Sequence, residues 1–478
     1  MPTVTTGRPS VEDRIFDRVS RRIGPILVSA VFIGLGLAYF FRWGSVVRHV
    51  PSLWLTPGDM WTTYKASGAA AHGHFGAVYG SGFLAFPGIL VLMAPLGAAI
   101  NSVSTQFVQI ASHGHPTTQV QYLLTHGTPY SILNLVTSKG NLYVIHHQAF
   151  LFVAPFILVV TCSVFFALDA LAERLQVGRW QRAVLCTAQG VLVWEVTVFY
   201  GHPEDAVAVA LMVYALILAF DERFTGAGWL FGLAIAVQPL VIVVFPLFLV
   251  LGGRRRALGL VVRGVVPAAL LTLGPLIAGF HPTVHALLTQ PTFPNLAANH
   301  RTGWIFLAPS LGGHGMTAKV GGGPVRLVAL ALAAGLGWWA LRWRTRPEMI
   351  VWAVAIALAL RVYTESVLTP YYVWPALAVG VLAAARGTPR RFGLAVVLAV
   401  ATIVVSQWNL GEYPWWILQM AGVTGILVAA AAPEPVEWAP DPSRARAAAV
   451  PVRRGPSTSK DKQKRKSART ARKRTARR

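Results

Sequence analysis

Cysteine is nearly absent from this chain, acidic residues are few, and no phosphate-cradling loop occurs. Cys162 and Cys186 are its only cysteines among 478 residues. Both lie in or beside apolar runs, where a thiol packs as a small hydrophobe. A disulfide framework and a cysteine-based metal site are therefore excluded. Asp and Glu number 18 against 42 Lys and Arg, and charged residues make up 13% of the chain. That leaves too little polar sequence to build a sizeable soluble domain. No Gly-x-x-x-x-Gly-Lys-Ser/Thr element or strand-borne Gly-x-Gly-x-x-Gly is present, which weighs against an ATP or soluble nucleotide-sugar site.

What the chain has in quantity is apolar sequence, 54% of it, gathered in runs of about 18 to 25 residues that match the thickness of a bilayer core. Backbone groups in lipid must be satisfied within their own segment, so these runs are helices. They fall near 23–41, 83–100, 148–168, 183–200, 205–220, 226–251, 257–280, 324–341, 347–362, 371–385, 392–408 and 415–432. The fold expected is all-α: a polytopic membrane protein of about 11 to 13 transmembrane helices, with short re-entrant segments. Residues 1–22 form a cytoplasmic N-terminal segment, 23–432 the membrane domain with a first outer loop at 42–82, and 433–478 a disordered basic cytoplasmic tail. Arg14, Arg18, Arg21 and Arg22 precede the first run, and with no small-residue cleavage site after Phe41 it reads as a retained signal anchor.

The formal charge of +24 is concentrated at one end. From Asp441 to Arg478 there are 15 Lys or Arg against 2 Asp, a net +13. Such a tail beside a membrane binds anionic lipids, with RNA or a protein partner as the alternative, and no nucleic acid is expected as the main partner. Arginines at 174, 179, 182, 223, 254–256, 342, 344, 346, 386, 390 and 391 mark cytoplasmic turns. The connections 201–204, 281–323, 361–370 and 409–414 then lie outside. The run Gly226–Leu251 has basic residues at both ends and Gln238-Pro239 at its middle, so it must enter and return as two half-helices. The polar segment 101–147 is either an outer cap or a weakly apolar helix pair. The same rule leaves its side of the membrane open: either a weak extra crossing lies there or another run is re-entrant.

Asp59 opens the first long polar stretch, in Pro57-Gly58-Asp59-Met60-Trp61-Thr62-Thr63-Tyr64-Lys65. By position alone it is equally a helix cap, a solvated loop charge or a reactive carboxylate at the membrane surface. A small-residue stretch follows, Ala66-Ser67-Gly68-Ala69-Ala70-Ala71, then Gly76-Ala77-Val78-Tyr79, then Phe86-Pro87-Gly88 and Met93-Ala94-Pro95-Leu96. Further on stand Tyr200-Gly201-His202-Pro203-Glu204-Asp205 and Arg223-Phe224-Thr225-Gly226, which lead to Gln238-Pro239. Taken together, these stretches, roughly the first half of the chain, resemble the membrane-embedded GT-C glycosyltransferases, in particular the bacterial mannosyltransferase-like family that uses polyprenol-phosphate sugars. Members often have Gly-Gln-x-Asn where this chain has Gly201-His202-Pro203-Glu204, and Lys where it has Gln238, which leaves the subfamily and the donor sugar open.

The resemblance implies a multi-pass enzyme of the bacterial plasma membrane with its active site on the extracytoplasmic side. It would transfer mannose or another hexose or pentose, with inversion, from a polyprenyl-phosphate carrier to a lipid or cell-envelope glycan. Asp59 would take the proton from the acceptor hydroxyl, a role one carboxylate opposite the leaving group can fill. Substrate-binding candidates are Tyr64, Lys65, His202, Glu204, Asp205, Gln238, His300, Arg301, Arg361 and Glu365. His300, Arg301 and Arg361 are candidate phosphate partners, although Glu365 lies one helical turn from Arg361 and offers it an ion pair instead. Glu204 and Asp205 either bind the acceptor sugar or complement a helix dipole. No cofactor is expected, although some of the wider class use a divalent ion. His72, His74, His113, His115, His146 and His147 lack paired acids and read as loop histidines. Glu195, inside an apolar run, is expected to face the bundle interior. Trp61, Trp304, Trp374, Trp408, Trp415 and Trp416 are expected as interfacial anchors. The rival function is a membrane transporter or flippase for a lipid or envelope precursor.

The orientation is checked by single-cysteine labelling in a Cys162→Ala, Cys186→Ala background. Asp59→Cys is expected to react with a membrane-impermeant maleimide in intact cells and Arg390→Cys only after lysis; the opposite pattern inverts the topology.

Overall fold

A computed structural model of the chain describes residues 19–46, 53–55, 58–79, 87–102, 108–111, 141–289, 292–293, 300–304, 310–311, 318–320, 324–408, 410 and 412–439. At 40–46, 53–55, 58–62, 64–65, 98–102, 108–111, 141–153, 367 and 412, and in most of the short segments between 288 and 325, only the backbone is described. The described residues up to Trp438 form one compact unit. The basic tail and the histidines at 113 and 115 lie outside the described residues.

The helices are α1 Ile23–Val46, α2 Gly58–Ala71, α3 Gly88–Ser102, α4 His147–Thr161, α5 Ser163–Arg174, α6 Arg179–Trp194, α7 Pro203–Phe220 and α8 Phe224–Val237. They continue with α9 Phe245–Ala278, α10 Phe280–Thr289, α11 Pro324–Trp339, α12 Pro347–Thr364, α13 Trp374–Ala384, α14 Pro389–Ser406 and α15 Glu412–Ala429. Among the described residues, six spans are long and apolar enough to cross a membrane: Ala154–Arg174, Arg179–Phe199, Pro203–Phe220, Pro239–Ala278, Pro347–Thr364 and Pro389–Ser406. Shorter apolar helices accompany them. The apolar runs of the sequence therefore become helices nearly where hydropathy places them.

Short strands are an addition that hydropathy did not anticipate. β1 Leu53–Leu55, β3 Asn141–His146 and β2 Val108–Ala111 form one antiparallel sheet, in that order. β4 Thr292–Phe293, β7 Ala318–Val320 and β6 Ser310–Leu311 form a second, and β5 His300–Arg301 pairs with β8 Val367–Leu368. All lie in connections between helices, where backbone groups need partners that a helix would otherwise supply.

At the centre stands α13, whose residues Trp374–Ala384 are all buried. A helix that is apolar on every side belongs in the interior. Around it, Trp415, Phe165, Phe231, Phe248 and Phe392 are also fully buried. Trp374 and Trp415 are therefore core residues, not interfacial anchors, and Trp415 donates its indole N–H to the Ser406 carbonyl at 3.0 Å. Trp304 and Trp408 do remain exposed. α1 joins through edge-to-face contacts of Phe32 with Phe165 and Trp194, at 5.6 and 5.7 Å.

The run Gly226–Leu251 does return on itself. The chain breaks at Gln238, whose backbone is extended (φ −149°, ψ 111°), and passes through a 3-10 turn at Pro239–Val244. Phe231 then packs on Phe248 at 4.3 Å, and Phe224 lies against Gly252. Both ends of the segment are thus side by side. Proline cannot donate to the helical ladder, which is why the break falls there.

The end of the bundle that carries the basic turns is held by ion pairs. Asp169, 2% exposed, accepts two hydrogen bonds from Arg182 at 2.7 Å and is also paired with Arg22. Arg174 pairs with Asp221. Residues 433–438, assigned from the sequence to the disordered tail, instead cross this end with 431–432 as an ordered strap. Arg391 donates to the Ala431 carbonyl at 2.9 Å, the Glu434 N–H donates to the Arg386 carbonyl at 3.1 Å, and Gln176 donates to the Glu437 carbonyl at 2.8 Å. Trp438 donates to Asp221 at 2.8 Å, with the Arg174 guanidinium 4.9 Å from its ring centre. A short apolar and aromatic sequence among prolines was enough to dock, so the tail begins after Trp438.

Asp169→Ala removes both hydrogen bonds of buried Arg182 to a carboxylate and leaves it, among the described carboxylates, only Glu173, at 3.7 Å. It is expected to cost about 3 kcal/mol, read as a lowered melting temperature of the purified protein in detergent.

Candidate functional site

At the opposite end of α7 and α12 from the basic turns, polar side chains converge. α7 is 18 residues long, so this end lies about 27 Å from Arg223. The approach to it is shaped by a wide turn: α6 passes into a π-helical stretch, Glu195–Phe199, and the Tyr200 N–H reaches back to the Glu195 carbonyl at 3.0 Å. Such a bulge turns the following residues relative to the helix before it. Glu195 is buried as expected and accepts from Ser406 at 3.1 and 3.2 Å, with Gln407 also donating to it. The carboxylate thus pins the bulge to the end of α14.

Pro203 then opens α7, and Glu204 and Asp205 occupy its first turn. Proline suits that position because its missing N–H would be unpaired there anyway, and acids complement the helix dipole. Both acids are also buried, Asp205 completely. Glu204 holds the His202 ring nitrogen Nδ1 at 2.6 Å, and that imidazole stacks on Tyr371 with ring centres 4.3 Å apart. Gln238, at the break after α8, donates to Asp205 Oδ1 at 2.6 Å. Asp205 Oδ2 is buried and has no hydrogen-bond partner among the described residues. A buried acceptor left unpaired costs about 1–3 kcal/mol, so this oxygen is poised to receive a donor.

Arg361 completes the arrangement from the last turn of α12. Its Nε donates to Glu365 Oε1 at 3.0 Å and its guanidinium lies 4.1 Å from the Tyr372 ring centre. Arg326 Nε lies 3.9 Å from the same Glu365 oxygen. Arg361 is near enough to Asp205 for each to feel the other's charge. Tyr371 and Tyr372, in the 3-10 turn Pro370–Val373, bridge the two halves: Tyr371 also lies 5.0 Å from Tyr200. The ion pair between Arg361 and Glu365 offered by their spacing is therefore formed.

The strand β5 carries His300 and Arg301 to the same place. It pairs with β8, His300 opposite Leu368 and Arg301 opposite Val367. Thr302 donates to the Glu365 carbonyl at 2.6 Å and its N–H to the Ser366 carbonyl at 3.2 Å, while the Trp304 indole donates to the Tyr363 carbonyl at 2.6 Å. The side chains of His300 and Arg301 lie outside the described residues.

Asp59, Tyr64 and Lys65 sit on α2, Asp59 as its second residue. Their side chains also lie outside the described residues. α2 packs against α3 closely enough that a Cβ at Gly97 would stand 2.8 Å from the Ser67–Gly68 backbone. α3 in turn begins against the end of α8, where a Cβ at Gly88 would stand 2.3 Å from the Ala236 carbonyl. Only glycine permits that approach. The helix bearing Asp59 is thus joined through α3 to the backbone just before Gln238. Beyond α2, Tyr79 is buried, and burial pushes its phenol above the ordinary range, so it stays protonated.

His202, Glu204, Asp205, Gln238, Arg361 and Glu365, the predicted binding residues whose side chains are described, all meet in this cluster. Sequence reasoning missed Tyr200, Tyr371, Tyr372, Arg326 and Thr302. The Tyr371-Tyr372 pair had a legible signal, two aromatics behind a proline just after Arg361. His72 and His74 are exposed, and His72 bonds the Gly68 carbonyl at 2.9 Å as a local helix-end contact. Among the described residues no group of three or more His, Cys, Asp or Glu is placed to hold a metal ion. Comparison with protein-family models and with curated protein sequences finds no match for this chain.

Arg361→Gln leaves buried Glu365 with only the more distant Arg326 and is expected to destabilise the protein by about 3 kcal/mol. Adding Glu365→Gln should restore much of that loss in a thermal-denaturation double-mutant cycle; additive losses would show that the pair does not couple.

Proposed function

We propose that the chain is an integral membrane glycosyltransferase that moves a sugar from a polyprenyl-phosphate carrier onto a lipid or envelope glycan. The observation that carries this reading is the polar cluster itself. Three buried carboxylates, an arginine and three tyrosines meet at one end of the bundle, and Asp205 Oδ2 has no donor among the described residues. Sugars present hydroxyl donors to carboxylates and C–H faces to aromatic rings, and Tyr200, Tyr371 and Tyr372 bring aromatic rings to this place. The transferred sugar or its acceptor would satisfy Asp205.

The leaving phosphate needs cations or N–H donors, not an acid. Arg361 uses Nε for Glu365, and its terminal nitrogens make no hydrogen bond among the described residues; Arg301, whose backbone is clipped beside Glu365, is the second candidate. Asp59 would act as base on the acceptor hydroxyl from the first helix of the outer segment, giving inversion by direct displacement. The active site would face away from the cytoplasm, since it lies at the end opposite the arginine-rich turns. A groove along the bundle would hold the prenyl chain. The basic tail would bind anionic membrane lipids.

The rival reading, a transporter or flippase, draws on the broken segment at Gln238 and the π-helical turn at Glu195, since interrupted helices near buried charge also serve alternating access. One substitution separates them. Asp59→Asn is expected to lower sugar transfer from polyprenyl phosphate by about a hundredfold to ten-thousandfold in a membrane assay, with expression unchanged. Undiminished transfer would remove Asp59 as the base, and loss of lipid movement without any sugar product would favour transport.

A further inference from the structure

α9 contains a second break, at the end of the bundle remote from the polar cluster. Gly253 takes φ 65° and ψ 176°, outside any helix, so Phe245–Gly252 and the helix from Arg254 onward are separate pieces joined at that residue. A side chain there would be strained, and it would also meet the guanidinium of Arg344, whose Nη2 stands 3.0 Å from the place of a Cβ. Arg254, Arg255 and Arg256 follow directly.

Several of these cations are held in place. Arg256 lies 4.4 Å from the centre of the Phe224 ring. Arg342 lies 4.0 Å from Trp339 and 5.1 Å from Trp343. Arg344 rests on the bare backbone of Gly253. Such stacking fixes direction but removes no charge. Among the described residues the acid nearest these arginines is Glu222, 4.0 Å from Arg256 and 79% exposed, which is weak compensation at the water surface. Five guanidinium groups against one exposed carboxylate leave a local excess of positive charge. It is made worse because Arg254, Arg255 and Arg256 stand in the first turn of a helix, where cations oppose the dipole.

An apolar stripe continues from these charges. Leu258, Val262 and Val265 follow Arg254 at helical spacing and are 76%, 49% and 58% exposed. Trp338 and Trp339, on the neighbouring helix α11, are 79% and 43% exposed, the placement of aromatics at a headgroup level. A free anion would answer the charge but not the stripe. An amphiphile with an anionic head and acyl chains answers both.

We propose that the break at Gly253 and the turn after Trp339 form a binding site for the headgroup of an anionic phospholipid. The phosphate lies among Arg344, Arg342 and Arg254–Arg256, and the acyl chains run along Leu258, Val262 and Val265. This site is built from residues of the folded body.

Native mass spectrometry of the purified full-length chain in a zwitterionic detergent, titrated with phosphatidylglycerol or phosphatidylcholine, tests it. Arg344→Gln and Arg255→Gln are each expected to weaken phosphatidylglycerol binding about fivefold and to leave phosphatidylcholine unchanged. Arg255 is exposed, so its variant carries the test should the Arg344 variant fail to fold. Arg390→Gln, at another exposed turn of the same end, and a full-length variant with Lys460, Lys462 and Lys464 changed to Gln are expected to bind as the wild type does. Equal weakening in all four variants, or in none, overturns the site, as does complete displacement of the lipid by millimolar inorganic phosphate.

Discussion

The hydrogen bond from Gln238 to Asp205 is the contact on which the polar end of the molecule depends. It joins the point where one apolar segment breaks to the first turn of another helix, and it occupies one carboxylate oxygen while the second has no donor among the described residues. In a bundle whose surroundings are hydrocarbon, a carboxylate has no bulk water to fall back on, so each such group must find a partner inside the protein or in a ligand. Asp205 has half of that requirement met by Gln238. The rest of the cluster follows the same rule: Glu204 by His202, Glu365 by Arg361 and Arg326, Glu195 by Ser406 and Gln407.

The two ends of the bundle solve the same electrostatic problem differently. At the basic end Asp169 and Asp221 are shared among several donors, and the strap to Trp438 adds one more, so that the helix ends are fastened together. At the polar end the groups pair locally and leave acceptor and donor capacity over. Among the described residues, buried groups without a hydrogen-bond partner occur at both ends, Arg174 Nε and Nη1 and Glu348 Oε2 at the first and Asp205 Oδ2 at the second. The break at Gly253 is the exception at the basic end, an excess of cations with one exposed acid near it.

Much of the architecture was legible from hydropathy because a membrane-length apolar run has one stable conformation in lipid. The return at Gln238-Pro239 was legible too, since the basic residues at both ends and the proline between them left few alternatives. Burial of Trp374 and Trp415 was not. Residues near helix ends are expected at the interface on average, and only the packing of neighbouring helices around α13 places those two in the core. The strap was missed for a related reason: Pro-Glu-Pro-Val-Glu-Trp has the composition of a linker, and its order comes from a side-chain amide, a carbonyl and a carboxylate presented by three separate turns.

By itself the sequence determined where helices form, which turns carry the positive charge, where the chain must break, and which polar residues were worth suspecting. These are local properties, set by side-chain hydropathy, proline geometry and charge within about twenty residues. Only the tertiary structure decided that His202, Glu204, Asp205, Gln238, Arg361 and Glu365 share one place, with Tyr371 and Tyr372 between them. Partners so far apart along the chain are chosen by how the helices pack, and helix periodicity says which face a residue occupies but not what lies opposite it.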